Sequence, residues 1–241
     1  MSALSPRARA RLAGLFQLLE GAASSSGQVF ILGSLVVLSD AAATAHNILT
    51  HEALFRLGFL VSVAGVAFHL VWGLLMYQLL RPVQRTVAAI ALLLIVTCGA
   101  MQALTALLYL APILVLQGPA SGRAQDLAYA LVQLNGAAFN LDLVFFGLWC
   151  VLTGWLIWRS GFLPRLLGAL LALDGVGWTL YLWPPLATFV FPAIAAASAL
   201  AEVPLMAWLL IRAVDSERWT RRAVEAEAPG ASPSPVARTP A

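Results

Sequence analysis

The sequence predicts an all-α protein, an integral membrane helical bundle of six transmembrane helices with both termini in the cytoplasm. Three observations predict it. The 241 residues are 61% hydrophobic and only 10% charged, against about 25% charged in a soluble domain. The apolar residues fall into six runs long enough to cross a hydrocarbon core roughly 30 Å thick. The arginines gather on one side of those runs. With a mean hydropathy of +0.88 the chain has too few polar groups to cover its surface, so lipid is its solvent.

The first run follows Arg7, Arg9 and Arg11 and predicts a span over about 11–35. Its basic start, its apolar stretch Leu12–Leu19 and the small residues Ala22–Ala23–Ser24 loosely fit a signal peptide. Glu20 interrupts that pattern and Val29–Leu38 resumes it, which favours a spanning helix. Asp40–Arg56 is polar enough to lie outside the membrane, with a short interfacial helix. A second span covers 57–80 and stops at Arg81–Pro82, because proline disfavours helix in the residue before it. The third covers 86–116, and Gln117–Gly118–Pro119 opens a turn. The fourth, 127–158, is long enough to tilt or project. Ser160–Gly161–Phe162–Leu163–Pro164 is a tight turn. The fifth span is 166–184, closed by Pro184–Pro185, and the sixth is 188–211. Residues 1–214 therefore read as one six-helix domain. Residues 215–241, charged and then rich in proline, serine and alanine, read as a disordered cytoplasmic tail.

Six spans put the N-terminus, the 81–85 loop, the 159–165 loop and the C-terminal segment on one side. That side holds twelve of the fourteen basic residues, all arginine; only Arg56 and Arg123 fall on the other. The positive-inside rule makes the arginine-rich side cytoplasmic. Tyr77, Trp155, Trp158 and Trp208 at inner ends, and Tyr109, Tyr129 and Trp183 at outer ends, fit aromatic belts. The net charge of +3 and pI of about 9.3 follow from this loop bias, so no nucleic-acid partner is expected. Cys98 and Cys150 lie inside apolar runs and read as small hydrophobes. No cysteine or histidine spacing points to a metal or a cofactor.

Three stretches resemble a bacterial multi-pass family, domain-of-unknown-function family 4386. They are Asp40-Ala-Ala-Ala-Thr-Ala-His-Asn-Ile with Glu52-Ala-Leu-Phe-Arg-Leu-Gly58; Leu143-Val-Phe-Phe-Gly-Leu with Trp158-Arg-Ser-Gly-Phe-Leu-Pro-Arg-Leu-Leu-Gly168; and Ala201-Glu-Val-Pro-Leu-Met-Ala-Trp-Leu-Leu210. The likeness covers roughly residues 8–214. It implies a small helical protein of a bacterial cytoplasmic membrane and no particular activity, so it carries over no catalytic residue.

The candidates for chemistry are the polar groups placed where they are expensive: Glu20, His69, Asp142, Asp174 and Glu202, with Gln102 as a neutral companion. Counted from the nearest cytoplasmic arginine at about 1.5 Å per residue, Glu20, Asp174 and Glu202 lie about 14–15 Å deep, His69 about 18 Å, and Asp142 and Gln102 about 25 Å. One polar group from each of six helices predicts a shared central cavity. Glu20, Asp174 and Glu202 are expected to form a carboxylate cluster that is not fully ionised, since desolvation and mutual repulsion oppose three charges at one level. Glu202 and Asp174, on consecutive antiparallel helices, should face each other or the common cavity and not lipid. Each acid also has a structural reading, as a hydrogen-bond partner of a neighbouring hydroxyl: Ser24–Ser26 for Glu20, Thr179 for Asp174. His46, His51 and Glu52 read as a solvated outer loop. Asn135–Asp142–Trp149 share one face, and Gly147 and Gly154 permit close helix approach.

Three functions remain open. Protonated and ionised acids could perform acid–base chemistry on a lipophilic, isoprenoid- or lipid-like substrate, in a pocket shaped by Gln102, Phe68, Trp72, Phe146, Trp149 and Trp178. The same acids could serve a proton-coupled transporter, although no inverted repeat is visible. A non-catalytic membrane subunit or lipid-binding module is the third. Membrane lipids and a lipophilic small molecule are the expected partners.

Overall fold

The computed structural model describes residues 4–118 and 123–227. Among them every regular element is helical. Ser5 starts α1 (Pro6–Ser24): its Oγ accepts from the Ala8 amide at 3.2 Å, and Pro6 supplies a ready-made helical φ at a position that needs no N–H. The same segment runs on as a π-helix over Ser25–Leu32 and a last turn, α2 (Gly33–Leu35). The span expected at 11–35 thus begins five residues earlier and is widened in its outer half. A π-helix adds one residue per turn and is rare at this length; here it coincides with the polar run Ser24–Gln28.

Asp40 caps α3 (Ala41–Thr50) by accepting from Ala43 N at 2.8 Å, so the short helix expected between the first two apolar runs is present. Then come α4 (Glu52–Leu80), α5 (Arg85–Leu116), α6 (Ala124–Ser160), α7 (Arg165–Thr179) with a 3-10 turn to Leu182, and α8 (Pro184–Ile211). Pro184 and Pro185 start α8 rather than only closing the preceding span, because proline is tolerated in a first turn. Among the described residues five helices are long and apolar enough to cross a membrane: α4, α5, α6, α7 with its 3-10 turn, and α8.

Neighbours pack in chain order, α1 on α4, α4 on α5, α5 on α6, α6 on α7 and α7 on α8. α8 then returns against α1 and closes a ring. The tightest seam is α6 on α7. A Cβ built on Gly154 would sit 2.5 Å from the Gly168 carbonyl oxygen, and one on Gly147 2.6 Å from that of Gly175. These helices therefore touch backbone to backbone, as small-residue membrane interfaces do. Their connection turns at Gly161, whose φ of 73° only glycine adopts cheaply.

Inside the ring, two apolar clusters lie at opposite ends. The larger contains Trp72, Leu79, Trp149, Leu156, Leu163 and Leu209. The smaller, under α3, contains Leu35, Ile48, Phe55, Tyr109 and Ile113. A polar layer separates them.

The tail departs from expectation. Disorder was expected from residue 215, but Ser216–Glu227 forms a helix, α9. Asp215 Oδ1 accepts from the amides of Glu217 and Arg218, both at 3.1 Å. Trp219 Nε1 donates to the Leu79 carbonyl at 2.8 Å, and Arg218 Nη1 to that of Gly161 at 3.2 Å. One aromatic anchor and one cap hold a segment whose composition alone reads as solvated. The disorder expected for 228–241 lies outside the described residues.

Candidate functional site

Five of the six helices of the ring place an expected polar residue in its interior or at its edge within the polar layer, and α5 adds Gln102. His69, Asp142 and Asp174 are buried; Glu20, Gln102 and Glu202 are half-buried. They fall into two groups.

The first group is a chain across four helices. Ser24 Oγ donates to Glu20 Oε1 at 2.8 Å, one turn along α1, as the structural reading anticipated. The same Oε1 lies 3.7 Å from His69 Nδ1 on α4. His69 Nδ1 is 3.3 Å from Gln102 Nε2 on α5. Gln102 Nε2 in turn donates to Asp142 Oδ2 on α6, also at 3.3 Å. Asp142 was expected about 7 Å farther out than His69 by residue counting. The long Gln102 side chain and the unequal course of the helices remove that gap.

Several members of this layer are unpartnered. His69 Nε2 and Asp142 Oδ1 have no hydrogen-bond partner, nor does Trp72 Nε1. Next to the chain, Ser24, Gln28, Ser62, Gln102, Thr105 and Phe139 line a cavity of about 20 Å³, room for one water. Asn135 Nδ2 donates to the Thr105 carbonyl at 2.7 Å, which ties α6 to α5 beside it.

Pointing Gln102 Nε2 at both His69 and Asp142 requires a lone pair on Nδ1 and an acceptor oxygen on Asp142, which an ionised carboxyl supplies and a carboxyl protonated on its other oxygen supplies as well. Turning the amide over points Oε1 at both, which requires a hydrogen on Nδ1 and a protonated Asp142. The turned-over orientation, which differs by a simple exchange of N and O, therefore needs a hydrogen on Nδ1 and on Asp142, whereas the first needs neither.

The second group is Asp174 and Glu202. They are neighbours across α7 and α8, as expected, with Ser198, Trp178 and Cys150 around them. Ser198 Oγ donates to Glu202 Oε1 at 2.6 Å, while neither oxygen of the buried Asp174 carboxyl has a hydrogen-bond partner. Thr179, the expected partner of Asp174, instead donates to the Val176 carbonyl from an exposed position. Asp174 and Glu202 of the expected three-acid cluster are thus adjacent, and Glu20 lies near enough to Glu202 for its charge to act on it. Glu20 pairs with an imidazole, and Asp174 with Glu202.

The aromatic residues expected to line a pocket mostly fill space instead. Trp72 and Trp149 are fully buried with ring centres 4.6 Å apart. Phe146 stacks on Trp149 at 5.7 Å, and Trp72 meets the edge of His69 at 5.8 Å. Phe68, half-buried, packs on Phe16 at 6.0 Å, and Trp178 stacks on Tyr181. Among the described residues no three His, Cys, Asp or Glu side chains are grouped to hold a metal ion. His46 and His51 lie on or beside α3, where His51 Nδ1 is 3.1 Å from the Asn47 carbonyl. Glu52 binds Arg56 at 2.7 Å and accepts from Gln117 at 2.8 Å.

Sequence reasoning passed over Ser62, Thr105, Gln28 and Ser198 as parts of the layer. The signal was present. Ser62 precedes His69 by two turns, Thr105 follows Gln102 by one, and Ser198 precedes Glu202 by one, so each shares a face with a residue already singled out.

Searches of curated proteins and of solved structures each return no match. The family model described as a domain of unknown function (DUF4386) matches residues 12–213, from the first helix of the ring to the end of the last. The chain belongs to that family, the one its sequence resembles.

Proposed function

We propose that this protein is a proton-coupled membrane protein of the transporter class, with six spans and both termini in the cytoplasm of a bacterium. The observation that carries the reading is the chain Glu20–His69–Gln102–Asp142. It links two acids and an imidazole through an amide that suits two proton occupancies. A water-sized cavity adjoins it. Glu20, 15% exposed at its side chain, is the point of exchange, and Asp142, 3% exposed, is the buried store. Intramembrane acids and histidines arranged this way serve proton relays.

The six-span topology rests on the closed ring. The segment Pro6–Leu35 is interrupted by its π-helix, yet it packs between α4 and α8 as the other members pack between theirs. Contacts also support the sidedness. Trp219 bonds Leu79, Arg9 lies over Trp219, and Asp215 N bonds Phe162 O. The N-terminus, the 81–85 and 159–165 loops and α9 thus share one end, the arginine-rich one.

Acid–base catalysis on a lipophilic substrate draws less support, because Trp72, Phe146 and Trp149 pack on one another beside the acids. Infrared difference spectroscopy of the full chain in lipid, between alkaline and acidic buffer, tests the proton reading. A carboxyl band that appears on acidification and is lost from Asp142→Asn or Glu20→Gln is expected. A wild-type spectrum without a pH-dependent carboxyl band overturns it.

A further inference from the structure

At the arginine-rich end, α9 and the start of α5 border a cavity of about 190 Å³ that is open on one side. Arg81, Pro82, Arg85, Trp219, Ala223, Ala226 and Glu227 line it. At roughly 30 Å³ per water, that volume holds about six waters, enough for a phosphate group. Arg9 adds a third guanidinium at the margin, its Cζ 5.5 Å from the centre of the Trp219 ring.

The charges here are unbalanced. Asp215 pairs with Arg218 at 3.2 Å and Glu225 with Arg222 at 3.6 Å. Among the described residues, Arg9, Arg81 and Arg85 have no carboxylate within ion-pair distance. Glu227 is the one acid on the cavity wall. Burial and the nearby Arg81 charge both pull Arg9 below the ordinary arginine range, the direction expected where positive charges crowd without an anion. α5 also begins here. Its cap residue, Gln84, makes no side-chain capping bond, so the first-turn amides and the positive end of a 32-residue helix favour negative charge at the same place.

We propose that this cavity binds the phosphate head group of an anionic phospholipid, with Arg81 and Arg85 as its ligands and Arg9 in support. The cavity lies at the ends of membrane-crossing helices, where lipid phosphates lie. Trp219 borders it as an interfacial aromatic does. Basic pockets at the cytoplasmic ends of helices hold such head groups through charge and bidentate guanidinium bonds. The site ties α9, the 81–85 loop and the N-terminus to the membrane surface. It stands independently of the proton chain.

The test titrates the purified full chain, in neutral detergent, with short-chain phosphatidylglycerol, short-chain phosphatidylcholine and inorganic phosphate, following the melting temperature. Phosphatidylglycerol should raise it and phosphatidylcholine should not. In R81Q/R85Q the dose midpoint should rise about 25-fold, at about fivefold for each arginine. Glu227→Gln should lower the midpoint, and Arg56→Gln, at the other end of the molecule, should leave it unchanged. An equal rise with phosphatidylcholine overturns the site, as does an unchanged midpoint in both R81Q/R85Q and Glu227→Gln. If R81Q/R85Q fails to fold, the Glu227→Gln midpoint decides. Inorganic phosphate reproducing the whole rise overturns the lipid as occupant.

Discussion

Gln102 ties the polar layer together by reaching two titratable groups on two other helices. Gln102→Leu should therefore cost more than its size change implies. It leaves a buried carboxylate and an imidazole without their donor, a loss of about 1–3 kcal/mol, measurable as lowered unfolding stability in detergent. Asp142→Asn keeps an acceptor for the amide and should cost less. At the outer end, Glu52 behaves as a surface acid. Hydrogen bonds from Arg56 and Gln117 hold its carboxyl below the ordinary value. A group depressed in the folded state stabilises above its unfolded pKa and loses that contribution as pH falls through the folded one. The melting temperature of Glu52→Gln should thus lie slightly below wild type at neutral pH and converge with it in acid. A gap that persists in strong acid would assign the contact to packing instead. The acids themselves were legible in the sequence, because charge within an apolar run is conspicuous. Their partners were not, because Ser62, Thr105 and Ser198 are common in membrane helices and gain meaning only from the face they share.

Among the elements, the α6–α7 seam depends on absent side chains. Gly154→Ala or Gly168→Ala puts a methyl 2.5 Å from a carbonyl oxygen of the facing helix. The helices must separate, at a cost of about 1–3 kcal/mol. Gly21→Ala meets nothing within 4 Å and should be neutral or stabilising by up to about 1 kcal/mol. Comparing the three melting temperatures checks the seam. The small-residue spacing of Gly147 and Gly154 announced this contact. The partners Gly168 and Gly175 emerged only when α7 was placed. For α9, Trp219→Ala removes both the bond to Leu79 and the stacking under Arg9. Protease cleavage within 216–227 should then accelerate while the bundle stays folded. That helix escaped the sequence reading because its residues are charged and its anchor is a single tryptophan.

For the molecule as a whole, topology is the testable property. Reporter fusions at Asp126 and at the C-terminus should report opposite sides of the membrane, since an odd number of crossings separates them; the same side for both would remove the six-span reading. The sequence by itself determined that the chain is helical and apolar enough for a membrane, roughly where most of its long helices begin and end, and which residues are unusually polar for an apolar run. Those are local properties, set by hydropathy over twenty or so residues and by charge at loop positions. The tertiary structure alone decided which polar groups meet. It set Glu20 beside His69 and joined Asp142 to the chain through Gln102. It filled the expected pocket with packed tryptophans and set α9 beside Arg81 and Arg85. Each of these turns on how helices rotate and lean against one another, and that depends on side-chain contacts between segments far apart in the chain, to which periodicity along a single helix is blind.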